Sequence, residues 1–140
     1  MLIRRAELHD LDSVLVLCKE FSTSFVVEES AFRQSYAALL AQPDAYLAIA
    51  QEESEIIGYV LGFDHYALYA NGRVCWVEEI MVRQAQRRQG LGRRLMNAVE
   101  QWALERGARL VSLATRRAAP FYLALGYEES ATYFRKQLQK

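Results

Sequence analysis

A run of strand-forming residues, Val74-Cys75-Trp76-Val77-Glu78-Glu79-Ile80-Met81-Val82, passes through Arg83-Gln84-Ala85-Gln86 into Arg87-Arg88-Gln89-Gly90-Leu91-Gly92-Arg93-Arg94 and then into a helical repeat. The first part is β-branched, aromatic and of strand length. The last part puts Leu91, Leu95, Val99 and Trp102 on one helical stripe, with Arg93, Arg94, Asn97, Glu100 and Gln101 mostly off it. A strand followed by a helix and a further strand in one sheet folds as a parallel, right-handed unit, here Val74 to Ala114. The junction is also suited to an anion. The first N–H groups of a helix have no intrahelical partner, and the helix dipole favours negative charge there. Glycine lets the backbone approach a bulky phosphate.

The spacing excludes two common phosphate loops. A Walker-type loop needs a Lys-Ser/Thr pair after its second glycine, and here arginines follow Leu91 and Gly92. A dinucleotide fingerprint needs a third glycine three positions after Gly92, where Leu95 stands. What remains is Arg-x-x-Gly-x-Gly, as Arg87 to Gly92, behind a strand ending Ile80-Met81-Val82. This resembles the acyl-CoA pyrophosphate loop of the GNAT superfamily of N-acetyltransferases. The likeness covers nearly the whole chain. Ile3-Arg4-Arg5-Ala6, with Asp10 and Leu11 following, is similar to the family's opening strand and helix start. Gly58-Tyr59-Val60 is similar to its third-strand signature. Phe121-Tyr122-Leu123-Ala124-Leu125-Gly126-Tyr127 is similar to its aromatic-Tyr…Leu-Gly-aromatic segment.

Two acidic residues stand out on their own account. Glu78 and Glu79 interrupt an otherwise apolar strand, where a carboxylate must find a partner or solvent. Adjacent strand residues point to opposite faces, so one of the pair is expected to face a cleft. A salt-bridged or edge-exposed pair is the other explanation. The resemblance implies more. Spermidine/spermine-type acetyltransferases carry an acidic pair at the matching positions, which makes Glu78 the first candidate base, acting through water, and Glu79 the second. Tyr122 matches the family's general-acid tyrosine, although Phe121-Tyr122 also reads as helix core with one polar tip. The resemblance implies a strand bulge near Ile80 that frees a backbone N–H for the acyl carbonyl. It also implies that Ile80, Met81 and Val82 pair with the pantetheine like an added strand. Arg87, Arg88, Gln89, Gly90, Leu91, Gly92 and Arg93 would hold the diphosphate. The family often has Asn seven residues before the segment's tyrosine. Thr115 stands there, with a hydroxyl able to bond a pantetheine amide.

The chemistry implied is direct transfer from acetyl-CoA, without metal, to a primary amine of a small molecule or peptide in a ternary complex. An alkylammonium, with a pKa of roughly 10, must lose its proton before attack. The thioester oxygen needs fixed donors, and the leaving thiolate needs a proton. The amine pocket is expected where Phe25, Glu28 and Glu29 face the Asp64–Asn71 loop. A non-catalytic acyl-CoA-binding regulatory module of the same fold is the alternative.

Composition sets the outer bounds. A chain of 140 residues, 52% of them apolar, is one domain, residues 1–140, with enough apolar mass for a core. Zero formal net charge argues against a nucleic-acid or membrane-surface binder, despite the arginines at 83, 87, 88, 93 and 94. Cys18 and Cys75 lie far apart and have no metal-ligand spacing to His9 or His65, which fits a reducing compartment. No signal peptide or bilayer-length apolar run stands out, so a cytoplasmic protein is expected. The expected architecture is α/β with mixed layers: a central, mostly antiparallel sheet flanked by about four helices. Asp10 is expected to cap the first helix, Asp64 to Arg73 to form a loop, and Leu110–Ala114 to be a buried strand. Thr132-Tyr133-Phe134 is expected to be a last strand, whose apolar edge could pair a second chain into a homodimer.

Overall fold

The computed structural model describes residues 1–22, 25–87 and 89–139. Its elements in chain order are β1 (Leu2–Arg5), α1 (Leu11–Phe21), α2 (Glu29–Ala41), β2 (Ala45–Glu52), β3 (Glu55–Ala67), β4 (Gly72–Val82), α3 (Leu91–Glu105), β5 (Ala108–Leu113) and α4 (Ala119–Ala124). The five strands form one sheet in the order β1-β2-β3-β4-β5. The first four pair antiparallel and β5 joins β4 parallel. The fold is therefore the mixed sheet with four helices that the residue patterns imply.

Strand alternation sorts the apolar residues onto two faces. Val60, Cys75 and Val77 pack with Leu91, Leu95, Met96, Val99 and Trp102 of α3. Leu47, Ile49, Tyr59, Leu61 and Met81 pack with Leu11, Val14 and Leu17 of α1 and Tyr36 of α2. The four stripe residues expected on α3 are all buried. Each such side chain contributes roughly 1.5–3 kcal/mol on leaving water. Gly58 and Gly62 let α3 and its neighbours come close. A Cβ at Gly62 would lie 2.8 Å from Val99 Cγ2, and one at Gly58 would lie 2.9 Å from the Met81 carbonyl oxygen.

Two irregularities of β4 shape the candidate site. Leu61 pairs with Glu79 and Gly62 with Val77, so Glu78 is an extra, bulged residue. The bulge lies at Glu78 rather than near Ile80. Pairing with β5 ends at Val77↔Leu113. From Glu78 to Val82, β4 keeps β3 on one side and, among the described residues, has no strand on the other. The sheet opens there.

Several expectations are corrected. β3 runs to Ala67, so the expected Asp64–Arg73 loop shrinks to a turn at residues 68–71 that closes on Asn71 at φ 62°. The reason is burial: Asp64 sits inside the sheet, ion-paired with Arg73 at 3.1 Å and with Arg106. Asp10 makes no side-chain cap on α1. Its buried carboxylate instead accepts from Arg4 at 2.8 and 3.0 Å and from the Glu7 N–H at 2.8 Å. β5 is a half-exposed edge strand, with Arg109 and Leu110 in solvent. Thr132–Phe134 forms no strand. Tyr133 stacks on Trp76 at 6.1 Å instead of joining a ladder, and Phe134 is 86% exposed. Among the described residues, no helix is long and apolar enough to cross a membrane.

Candidate active site

The turn before α3 uses its two glycines differently. Gly90 is the residue before the first turn of α3 and sits at φ 79°, a left-handed conformation that other residues adopt at a cost. Among the described residues, nothing lies within 4 Å of where its Cβ would be. Gly92 is constrained by packing: its Cβ would lie 3.0 Å from Phe121 Cζ of α4. Gly90 has no side chain with which to cap this helix start. The first helical bond runs from the Arg94 N–H to the Gly90 carbonyl at 3.1 Å. The N–H groups from Gly90 to Arg93 therefore have no acceptor within the helix.

The arginine cluster divides by partner. Arg83 pairs with Glu55 at 3.0 Å. Arg87 folds back on β4, donating from Nε to the Val82 carbonyl at 3.0 Å. Arg94 reaches the Met1 carbonyl at 3.4 Å. Arg93 is exposed and has no such partner among the described residues. Arg88 lies outside the described residues, as do Thr23 and Ser24. Gln89 is exposed beside Gly90, and Leu91 is buried under the turn.

The bulge separates the two glutamates by environment. Glu78 is exposed and accepts a hydrogen bond from Trp76 Nε1 at 3.1 Å. Glu79 is half-buried against the α1/α2 face and accepts from Tyr59 Oη at 2.8 Å. Burial pushes the Glu79 carboxyl above its usual range. The Tyr59 hydrogen bond opposes that rise, and the charge of Glu78 adds to it. Glu79 also lines a cavity beneath α1 and α2 that includes Glu28. This cavity lies under the helix pair and not against the Asp64–Asn71 segment, where the amine pocket is expected. Phe25 points into solvent and Glu29 pairs with Arg33 at 3.3 Å.

Tyr122 approaches from the opposite face. It is buried in the α3-side cluster, edge-on to Phe121 at 4.9 Å and to Tyr127 at 5.9 Å. No hydrogen bond among the described residues uses its hydroxyl. Burial pushes the phenol up, so it keeps its proton at neutral pH. Thr115 Oγ1 accepts from the Ala118 N–H at 3.1 Å and so closes the turn into α4, which leaves its own proton free to donate. Ile80, Met81 and Val82 pair with β3 on one side, and on the other no strand pairs with them among the described residues. Cys75 is fully buried, and its thiol is pushed up to about 11, first by burial and then by the charge of Asp64. No group of three His, Cys, Asp or Glu residues that could hold a metal occurs among the described residues.

Sequence reasoning missed Tyr59 as the partner of Glu79. It marked Tyr59 only as part of a strand signature, and the signal that could have found it is cross-strand. Tyr59 pairs with Met81, one diagonal step from Leu61 and Glu79. The walls that α2 and the segment before it give to the cavity, Ala31 and Val27 among them, were also missed.

These features have known counterparts. The model of the acetyltransferase (GNAT) family matches residues 10–127. An aminoalkylphosphonate N-acetyltransferase from Salmonella typhimurium is 31% identical, over 97% of this chain and 90% of its own length. A thialysine N-epsilon-acetyltransferase from Bos taurus is 28% identical, over 92% of this chain and 85% of its own. A solved glucosamine-6-phosphate N-acetyltransferase from Arabidopsis thaliana superposes with a TM-score of 0.87 at 17% identity, over 99% of this chain and 98% of that one. With a family match across most of its length and relatives named for the same reaction, this chain belongs to the acetyltransferase (GNAT) family and is an N-acetyltransferase, in a family that generally uses acetyl-CoA.

Proposed function

We propose that this chain transfers acetyl directly from acetyl-CoA to a primary amine in a ternary complex. The observation that carries the proposal is the opening of the sheet at Glu78. The β4–β5 pairing stops there, and Glu79 and Tyr122 stand on opposite faces of the strand that lines the gap. A thioester lying in the gap is reached by a base from the α1/α2 side and an acid from the α3 side.

Each residue then has a task. The N–H groups from Gly90 to Arg93 and the Arg93 side chain hold the diphosphate, with Gln89, Leu91 and Gly92 shaping the turn. Arg88 belongs to the same proposed set. Arg87 braces the turn against the Val82 carbonyl. The free edge of Ile80, Met81 and Val82 takes the pantetheine as a strand would, and Thr115 donates to it. Glu79, already pushed toward neutrality by burial, removes the proton that the amine must lose, and Glu78 is the second candidate, through water. A β4 main-chain N–H beside the bulge stabilises the developing oxyanion. The C–N bond forms, the C–S bond breaks, and Tyr122 protonates the leaving thiolate. A route through an acetylated cysteine is disfavoured, because Cys75 is enclosed and its thiol resists ionisation.

The two relatives act, by their names, on an aminoalkylphosphonate and on thialysine. Both names describe small primary amines, and a small amine is the acceptor proposed here. The test is thiol release from acetyl-CoA over an amine panel. Turnover that falls about a hundredfold or more in Glu79→Gln and in Tyr122→Phe is expected. Tight coenzyme A binding with no turnover on any amine would favour the non-catalytic module instead.

A further inference from the structure

The cavity between the α1/α2 pair and the sheet has a volume of about 280 Å³. That is at the small end of ligand pockets, which run from roughly 300 to 1,000 Å³. Its walls are chiefly apolar, with Val14, Val27, Phe32, Leu39 and Leu61 among them. Its charged lining residues are Glu28 and Glu79, and among the described residues no Lys, Arg or His lines it. Its two phenols are already committed. Tyr36 Oη donates to the Glu7 carbonyl at 2.6 Å, and Tyr59 Oη donates to Glu79 Oε1 at 2.8 Å. The second Glu79 oxygen has no protein donor among the described hydrogen bonds. The cavity is therefore an apolar chamber with unspent carboxylate acceptors and no cation.

Resting on the acetyltransferase reading above, we propose that this cavity selects the acceptor. It takes a small primary amine with an apolar body and no anionic group, its nitrogen at Glu79 and its chain among Val14, Val27, Phe32 and Leu39. The physical argument works by exclusion as much as by fit. A carboxylate or phosphonate tail would meet two glutamates and no counter-charge. A multi-ring amine would exceed the volume. Each methylene moved from water into the chamber adds about four-fold in affinity.

The test pairs kinetics with direct binding. At saturating acetyl-CoA, kcat/KM is expected to rise about four-fold per methylene from propylamine to hexylamine. Hexylamine is expected to exceed aminohexanoate by at least about tenfold. Calorimetry with the same amines on the intact protein is expected to give the same order. Ala31 lines the cavity from α2, so Ala31→Phe is expected to abolish the chain-length dependence while coenzyme A still binds. A flat series, a preference for aminohexanoate, or neither binding nor turnover of hexylamine overturns the proposal. If aminohexanoate is turned over and hexylamine is not, acetyl transfer stands and this substrate class falls. If the amines bind in the expected order but none is acetylated, the cavity stands and acetyl transfer falls.

Discussion

Tyr59→Phe isolates the interaction on which the assignment of Glu79 depends. Tyr59 is 2% exposed, and its ring packs in the α1/α2-side core. Phenylalanine keeps that ring and deletes only the hydroxyl that donates to Glu79 Oε1 at 2.8 Å. A hydrogen bond to a charged group contributes about 1.5–3 kcal/mol, and one between neutral groups about 0.5–1.5. Glu79 is half-exposed, which favours the lower part of the charged range. The variant is therefore expected to lose about 2 kcal/mol at about pH 8 and about 1 kcal/mol at about pH 4. At roughly 2–4 °C per kcal/mol, the higher-pH loss lowers Tm by about 4–8 °C. The sign follows from the raised carboxyl. Glu79 contributes most to stability while protonated, and that contribution is lost as pH rises through its native pKa. The Tyr59 bond offsets part of this loss, so wild type and variant diverge with increasing pH. Thermal unfolding followed by circular dichroism at the two pH values measures the divergence. In the rate profile, the acid limb of the variant moves to higher pH, because Glu79 has become harder to ionise. An equal stability loss at both pH values refutes the reasoning about charge. An unmoved acid limb makes Glu78 the base.

Other residues give further outcomes. Gly90→Ala, at φ 79°, is expected to cost about 1–2 kcal/mol in backbone strain and to weaken coenzyme A binding by calorimetry. Asp10→Asn is expected to lose about 1.5–3 kcal/mol near neutral pH, because Arg4 and the Glu7 N–H hold a buried carboxylate. Arg4 lowers the Asp10 pKa, so this contribution is present above roughly pH 4 and lost as pH falls, and acid unfolding of the variant should be correspondingly flatter. Glu79→Gln is expected to unfold at a higher temperature than wild type at about pH 8, since it removes a half-buried charge, even as it loses activity.

How much of this was legible depended on whether the signal was local. Leu91, Leu95, Val99 and Trp102 recur at helical spacing, and Gly90 and Gly92 stand just where that helix begins, so the strand–turn–α3 unit could be read directly. The bulge could not. Alternation assigns Glu78 and Glu79 to opposite faces, yet one extra residue in β4 breaks the period, and no propensity marks which residue is extra. Asp10 looked like a helix cap because cap preference is a local statistic, whereas its partner, Arg4, lies on a neighbouring strand. The last strand failed for a related reason. Thr132, Tyr133 and Phe134 have strand propensity, but propensity supplies no partner, and Tyr133 found Trp76. The cavity beneath α1 and α2 depends on how far these helices stand from the sheet, which hydrophobic periodicity does not encode.

The central claim is that acetyl passes from thioester to amine in one step across the gap in the sheet. Initial rates with acetyl-CoA and a working amine both varied, together with intact-protein mass after exposure to acetyl-CoA alone, test it directly. Intersecting double-reciprocal lines and an unmodified protein mass are predicted. Parallel lines with an acetylated protein would contradict it.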